Sequence, residues 1–374
     1  MRELIGFEIT KLLRKPLVWV SLGGMLFLMI VMAYNWVAPG YLGVQEEING
    51  EWVVSEGFDG VARSKEIAGQ FTGPLTTEKI QEIIDTFAFS REILESRGLD
   101  PDRQRYYYHN STYDTLDDFI KMDGTYNGNT VEDVYGDLAQ DLVMGYCDGW
   151  EGTVYSLISC FMTWGCIVII ILTPVFSEEY TKHMDALILT GRRGKFHCPV
   201  AKVIAAYVVT IAGTLILLGF FVVVMVVVHG TSGFDTSAQI GTLEMFELVP
   251  YTITWGQIFA FGCMMWLGAT VVVISLSLVV SALAKSSFSA LVITFALFAI
   301  PLFIPWSILP DPLPLVGMFM PINQMKIFEI YRFAKLGFGG FQLNVMWLAL
   351  PIALIATVTG VLWSERAFTG HQVV

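Results

Sequence analysis

Six long runs of the chain contain no Asp, Glu, Lys or Arg, and each can cross a membrane as one helix. They cover residues 17–38, 154–176, 203–228, 255–283, 286–309 and 343–363. A hydrocarbon core about 30 Å thick needs about 20 apolar residues in a helix. The apolar stretch at residues 222–228 lacks the alternation that a barrel strand shows. The pattern therefore predicts an all-α polytopic membrane protein with six transmembrane helices.

The segment before the first run is amphipathic. Its apolar residues share one helical face, and its charged residues share another: Leu4, Ile5, Ile9, Leu12 and Leu13 against Glu8, Lys11 and Lys15. Pro16 ends this pattern. Residues 1–16 are therefore predicted to form an interface helix, which either lies in the lipid headgroup layer or serves as an ordinary positively charged anchor.

Residues 39–153 form a predicted soluble domain between spans one and two, mainly helical and compatible with some strand. Residues 44–54 predict a short hairpin around Asn49-Gly50. Thr77 is a predicted N-cap of a helix that runs to about Arg97, and Thr130 begins a second predicted helix toward Tyr146.

Residues 310–342, between spans five and six, are rich in proline and apolar side chains. Pro310, Pro312, Pro314 and Pro321 fall close together, and residues 325–338 follow as a predicted amphipathic helix. Short helices broken by proline beside a membrane are typical of re-entrant segments. We expect re-entrant external helices here.

The distribution of charge gives the orientation. The chain has a net charge of −12, and residues 39–153 hold 23 acidic and 8 basic residues, a net charge of −15. Short loops rich in Lys and Arg stay in the cytosol. The N-terminus, residues 177–202 and the tail 364–374 are therefore predicted to be cytosolic, whereas 39–153 and the loop 229–254 are external. This predicts an external Cys147 and a cytosolic Cys198. The acidic exterior argues against nucleic acid as a partner.

The sequence lacks the motifs of an enzyme that binds its own nucleotide or metal. The segment from Gly191 to Lys195 has two residues between its glycines where a phosphate loop has four, and Phe196 follows the lysine. No metal-ligand spacing appears, so neither a cofactor nor a catalytic residue is predicted in this chain. The charge-free spans also argue against ion-coupled transport.

A path through such spans would be lined by aromatic, thioether and hydroxyl groups. The candidates are Phe161, Met162, Trp164, Phe295 and Phe298. A path of this kind suits an amphipathic or apolar substrate. Each of these side chains is equally compatible with packing against lipid or another helix.

The segment after the second run carries two adjacent carboxylates and a cluster of basic residues next to a predicted span. Glu178 and Glu179 follow the span directly, a short helical stretch begins at Asp185, and Arg192, Arg193 and Lys195 form a basic cluster. In one interpretation these carboxylates bind basic residues of a cytosolic partner. In the other they only lie in hydrated headgroup space.

The segments Phe176-Ser-Glu-Glu-Tyr-Thr, Asp185-Ala-Leu-Ile-Leu-Thr and Arg193-Gly-Lys, with Ala201-Lys202, resemble the coupling region of bacterial peptide and antibiotic exporters. Together with the amphipathic start, six spans and broken external helices, they resemble the permease subunits of type-2 ABC exporters. The resemblance covers nearly the whole chain.

The resemblance implies a multi-pass permease in a bacterial cell membrane that exports an antimicrobial peptide, lipid or drug. A separate ABC ATPase subunit, present in two copies, would bind ATP and Mg²⁺, and a second or homologous permease would complete the complex. Coupling to the ATPase would involve Glu178, Glu179, Tyr180, Asp185, Arg192, Arg193, Lys195 and Lys11. The alternative is a ligand-sensing or immunity subunit whose external domain binds a peptide without transport.

Overall fold

The computed structural model describes most of the chain. The described residues are 1–37, 43–49, 51–88, 91–96, 98, 100–102, 111–191, 194, 196–241, 249, 251–310, 313–326, 336–338, 341–343 and 345–370. Within them the secondary structure is overwhelmingly helical. The strands in these ranges form three separate two-stranded antiparallel pairs.

Four helical stretches of the described chain are long and apolar enough to cross a membrane. They contain what we call the first to fourth long helices, Pro16–Val37, Asp148–Leu172, His197–His229 and Trp255–Leu283. The second continues into a short helix, Pro174–Thr181, which we call the junction helix. These helices match the first four predicted runs, and the chain is a mainly helical, membrane-embedded protein.

The second and third long helices begin before the charge-free runs that predicted them. As a result, Asp148 and Glu151 lie in the first turn of the second long helix, and Lys202 lies near the start of the third. All three side chains are buried. The charge-free runs predicted the apolar part of each helix. They missed the first turns, because a charged residue near the end of a helix does not stop the helix.

The fifth and sixth predicted spans look different from the first four. The fifth is an α-helix only over Ser287–Ala299 and then continues as 3₁₀ turns at Ile300–Phe303 and Trp306–Ile308. Thirteen α-helical residues rise about 20 Å, less than the core of a bilayer. Pro301 and Pro305 explain the change of helix type. The sixth is a 3₁₀ turn, Val345–Leu348, followed by the helix Ala349–Thr369. The count of six spans stays a prediction.

The chain divides into two compact units. The first contains Met1–Met29, Leu157–Val222 and Phe261–Val374. Besides parts of the long helices, it holds the helices Arg2–Leu13, Pro174–Thr181, Asp185–Thr190, Ser287–Ala299, Leu313–Met318, Pro321–Gln324 and Ala349–Thr369, and the strand pair Leu336–Phe338 with Phe341–Leu343. Its interior is aromatic: the rings of Phe161 and Trp266 lie 4.5 Å apart.

The second unit contains Ile30–Ser156 and Val223–Ala260. Its elements are the strands Gly43–Ile48, Glu51–Glu56, Gly73–Pro74 and Val143–Met144, the helices Gly57–Gln70, Thr77–Phe87, Arg91–Ser96, Ser111–Asp114 and Val131–Tyr135, and 3₁₀ turns at Asp117–Phe119, Gly136–Asp141 and Ala238–Ile240. Its core includes Ile80, Ile83, Leu116 and Phe119, all fully buried.

Local signals in this unit were partly correct. The hairpin is confirmed, with Ile48 paired to Glu51 and Asn49 at a positive φ in the turn. The Thr77 helix is capped by Thr76 and ends at Phe87, so its predicted end at Arg97 is wrong. The Thr130 cap is confirmed by a capping box, but the α-helix ends at Tyr135. Gly136, at φ 55°, breaks it.

The predicted amphipathic helix at residues 325–338 is wrong at its C-terminal end. Residues 336–338 form a strand that pairs with residues 341–343. Residues 327–335 lie outside the described part of the chain. The neighbouring proline-rich segment contains two helices of six and four residues, Leu313–Met318 and Pro321–Gln324. This confirms short helices there, and their re-entrant placement stays a prediction.

The predicted orientation can be tested with an impermeant thiol reagent on intact cells. Cys147 is a poor reporter because it is buried, and burial raises the pKa of its thiol. Met122 is exposed in the same unit, so Met122→Cys should be labelled from outside, whereas the wild-type chain should not. Labelling of Cys198 in intact cells, or of Met122→Cys only after permeabilisation, would contradict the predicted orientation.

Candidate functional site

The second long helix is broken at Thr173–Pro174, and the break is held by a serine of the fourth long helix. Pro174 has no N–H and cannot continue the helical hydrogen bonds. The Thr173 carbonyl accepts hydrogen bonds from Ser177 Oγ at 2.7 Å and from Ser281 Oγ at 2.6 Å. The Ser281 hydroxyl also accepts from the backbone N–H of Phe176 at 2.9 Å. The start of the junction helix is thus fixed to the fourth long helix.

Three further contacts hold the junction helix. Tyr180 is buried, and its hydroxyl donates to the Ala282 carbonyl at 3.0 Å. The ring of Phe368, from the last helix, lies 5.9 Å from the Tyr180 ring and 5.2 Å from that of Phe176. Ser177 Oγ lies 3.1 Å from the Ser287 hydroxyl. The junction helix therefore contacts the helices that begin at Trp255, Ser287 and Ala349.

A buried ion network also holds the junction helix, through Glu179. Lys202 Nζ lies 2.5 Å from Glu179 Oε1 and 3.2 Å from Glu8 Oε1. The side chain of Lys202 is 1% exposed and that of Glu179 is 7% exposed. Lys11 Nζ completes the set at 3.5 Å from Glu179 Oε1. One lysine of the third long helix thus joins the N-terminal helix to the junction helix.

Glu178 makes a more exposed pair of contacts beside this network. Its carboxylate lies 3.1 Å from Lys15 Nζ and 2.6 Å from Lys182 Nζ. The hydrogen bond that Lys182 donates to the Glu178 carboxylate raises the pKa of the Lys182 ammonium. Ion pairs at this exposure are screened by solvent and contribute little to stability. The two adjacent glutamates therefore have different roles: Glu179 is part of a buried network, and Glu178 lies at its rim.

The junction helix ends in a hydrogen-bonded motif that leads directly into the next helix. The Met184 N–H donates to the Glu179 carbonyl at 2.9 Å, and the His183 N–H donates to the Tyr180 carbonyl at 3.1 Å. His183 is at φ 52°. These bonds form a Schellman motif, in which glycine is the usual residue at the position of His183. Met184 is the residue before the next helix, Asp185–Thr190, which we call the loop helix.

The loop helix and its surroundings expose large apolar side chains. Leu187 is 73% exposed, and Met184 and Phe196 are also exposed. Exposed apolar side chains of this size on a charged segment make it a candidate contact site. The hydrogen bonds described above connect this segment to the junction helix, which holds Glu179 of the ion network.

The predicted coupling residues are distributed as follows. Glu178, Glu179 and Lys11 form ion pairs with other residues of the same chain, and Tyr180 is buried against the fourth long helix. Asp185 is the first residue of the loop helix. Arg192, Arg193 and Lys195 lie outside the described residues. The interpretation of Glu179 as a hydrated carboxylate is wrong, because its side chain is buried.

Four residues that pair with the two glutamates or with Lys202 were not identified as site residues from the sequence: Glu8 and Lys202 in the ion network, and Lys15 and Lys182 at Glu178. The sequence placed Glu8, Lys11 and Lys15 on one helical face, and all three residues form ion pairs with other parts of the chain. That shared face could have indicated a charged contact. Lys202 could also have been identified, because a single lysine directly before a long apolar run often needs a carboxylate partner.

The predicted path residues mostly pack inside the first unit. Phe161 and Phe298 are buried, and the Trp164 indole N–H donates to Thr214 Oγ1 at 2.8 Å. Met162 is half-buried and Phe295 is exposed. A path lined by these residues stays a prediction.

Comparison with protein-family models, with curated proteins and with solved structures finds no match. The functional conclusion therefore depends on the geometry of the junction helix, the ion network and the loop helix.

Proposed function

We propose that this chain is the permease subunit of an ATP-driven ABC exporter of the type-2 class. It lies in a bacterial cytoplasmic membrane with its N-terminus in the cytosol and moves an amphipathic substrate, such as an antimicrobial peptide, a lipid or a drug, outward. A separate ATPase subunit, in two copies, binds ATP and Mg²⁺. Two permease copies, or this chain and a homologue, complete the complex.

The observation that carries the proposal is the continuous set of hydrogen bonds and ion pairs from an exposed helix to the third and fourth long helices. Leu187 lies on the loop helix, which is hydrogen-bonded through the Schellman motif to the junction helix. The junction helix in turn is held by Ser281 and by Lys202. A displacement of the loop helix would therefore reach the third and fourth long helices as a rigid-body movement.

In this mechanism the ATPase docks mainly through apolar contacts. Met184, Leu187 and Phe196 offer the exposed apolar surface. Glu179 cannot serve as an exposed anchor for a basic ATPase residue, since it is buried and paired with Lys202. Its role is to hold the N-terminal helix, the junction helix and the third long helix together while the loop helix is pushed or released. Arg192, Arg193 and Lys195 remain proposed partners of the ATPase.

The proposal is tested by purifying the tagged chain from its native membranes and identifying what accompanies it. We expect a polypeptide with a phosphate loop and ATPase activity, lost with Leu187→Asp and kept with Leu187→Met. The acidic variant places a charge in an apolar contact, and the methionine variant conserves volume and polarity. Recovery of no ATPase with the wild-type chain would contradict the proposal and favour the ligand-sensing alternative.

A further inference from the structure

An apolar crevice opens on the side of the first unit, between the N-terminal helix and the first three long helices. Its volume is about 200 Å³. Of its fourteen lining residues, Thr210 is the only one with a hydroxyl, and none is charged. Both lining indoles already donate their N–H groups, Trp19 to the Leu13 carbonyl at 2.7 Å and Trp164 to Thr214. The crevice therefore favours an apolar occupant.

The crevice has a defined depth along the third long helix. Its lining residues on this helix run from Val208 to Ile216, whereas Lys202 lies in the ion network. At 1.5 Å per residue, the crevice extends from about 9 Å to about 21 Å beyond Lys202. Half of a bilayer core is about 15 Å thick. Measured from Lys202, the crevice therefore begins among the acyl chains of the leaflet nearest the ion network and extends past the middle of the core.

An exposed basic residue directly follows a lining residue of the crevice in the chain. Leu13 lines the crevice, and the next residue, Arg14, is exposed and makes no ion pair within the described residues. Lys15, one residue further, is already paired with Glu178. Basic side chains at this depth attract anionic headgroups. Arg14 is thus the cation available to a lipid phosphate.

We propose that this crevice is a binding site for one acyl chain of an anionic phospholipid, whose phosphate lies at Arg14. The volume is below the roughly 300–1,000 Å³ of pockets that enclose drug-sized ligands. Exposed rim residues, Trp19 and Ile216, leave the crevice open at the side, where a chain can enter from the bilayer. A bound chain would fill the space between the N-terminal helix and the third long helix. The site requires no ATPase partner.

The test uses the full chain in nanodiscs that contain phosphatidylglycerol with a photoreactive diazirine in the middle of one acyl chain. After illumination, digestion and mass spectrometry map the adducts. We expect adducts concentrated around Trp164, Val168 and residues 208–216. Ile216→Trp should lower their yield severalfold, because the larger side chain occupies the crevice. Leu215→Trp is the matched control: Leu215 is adjacent and equally exposed but does not line the crevice.

A second comparison tests whether the bound lipid has an anionic headgroup. The phosphatidylglycerol probe should label the crevice more strongly than a phosphatidylcholine probe with the same chain, and Arg14→Gln should remove the difference. All yields are normalised to monodisperse, folded protein. Adducts spread evenly over the exposed faces of the long helices and unaffected by Ile216→Trp would overturn the site. Equal labelling by the two wild-type probes would overturn the assignment of an anionic lipid.

Discussion

Replacing Lys202 by Met should lower the free energy of unfolding by about 3–5 kcal/mol, the usual cost of removing one partner from a buried ion pair. The substitution leaves Glu8 and Glu179 in the interior without the ammonium group they share. Because methionine fills a space similar to that of lysine, the decrease in the free energy of unfolding measures the loss of the charge rather than a loss of volume. The measurement is the midpoint of thermal unfolding in detergent, followed by tryptophan fluorescence.

Two further variants separate this effect from a general loss of charge. Lys285→Met removes an exposed lysine that makes no ion pair within the described chain, and it should leave the midpoint unchanged. Combining Lys202→Met with Glu8→Gln and Glu179→Gln should recover much of the loss, because the carboxylates are then neutral. A Lys202→Met chain that unfolds at the wild-type temperature would show that the network contributes nothing.

Glu179→Gln should be far more damaging than Glu178→Gln, although the two residues are adjacent. Glu179 is buried between Lys202 and Lys11, so its loss should cost about 3–5 kcal/mol. Glu178 pairs at the surface with Lys15 and Lys182, and its loss should cost about 0.2–1 kcal/mol. The same unfolding assay measures the difference.

Under the proposed function, the two variants should also differ in how well ATP hydrolysis is coupled to export. Glu179→Gln loosens the N-terminal helix from the junction helix, so ATP hydrolysis by the reconstituted complex should continue with less export per ATP. Glu178→Gln should export normally. Equal behaviour of the two variants in both stability and export would mean that burial does not distinguish the glutamates.

The long helices could be predicted because their signal is local. A run of apolar residues predicts a membrane helix whatever the rest of the sequence is, and four of the six runs gave helices that are both long and apolar enough to cross a membrane. The turn at Asn49-Gly50 was equally local, since Asn at a positive φ fits a two-residue hairpin. The ends of helices were less predictable, because the glycine at 136 stopped one helix, whereas Asp148 did not delay another.

The ion network could not be predicted because its partners are far apart in sequence. Glu8 and Lys202 are 194 residues apart, and nothing local indicates that they meet. Because Glu178 and Glu179 are adjacent in the sequence, both were predicted to have the same role, either binding a cytosolic partner or lying in hydrated headgroup space. The structure separates them, since the turn of the junction helix directs one carboxylate inward and the other to the rim. Burial, which decides between the two roles, is a property of the packed helices.

Site-specific photo-cross-linking can show directly whether the loop helix is the docking site of an ATPase subunit. A benzophenone amino acid placed at Leu187 and activated in native membranes should form an adduct with an ATP-binding polypeptide. The same group at Met122, exposed in the second unit, should not. An adduct at both positions, an adduct at Leu187 only with proteins that bind no ATP, or no adduct at Leu187 would contradict the account.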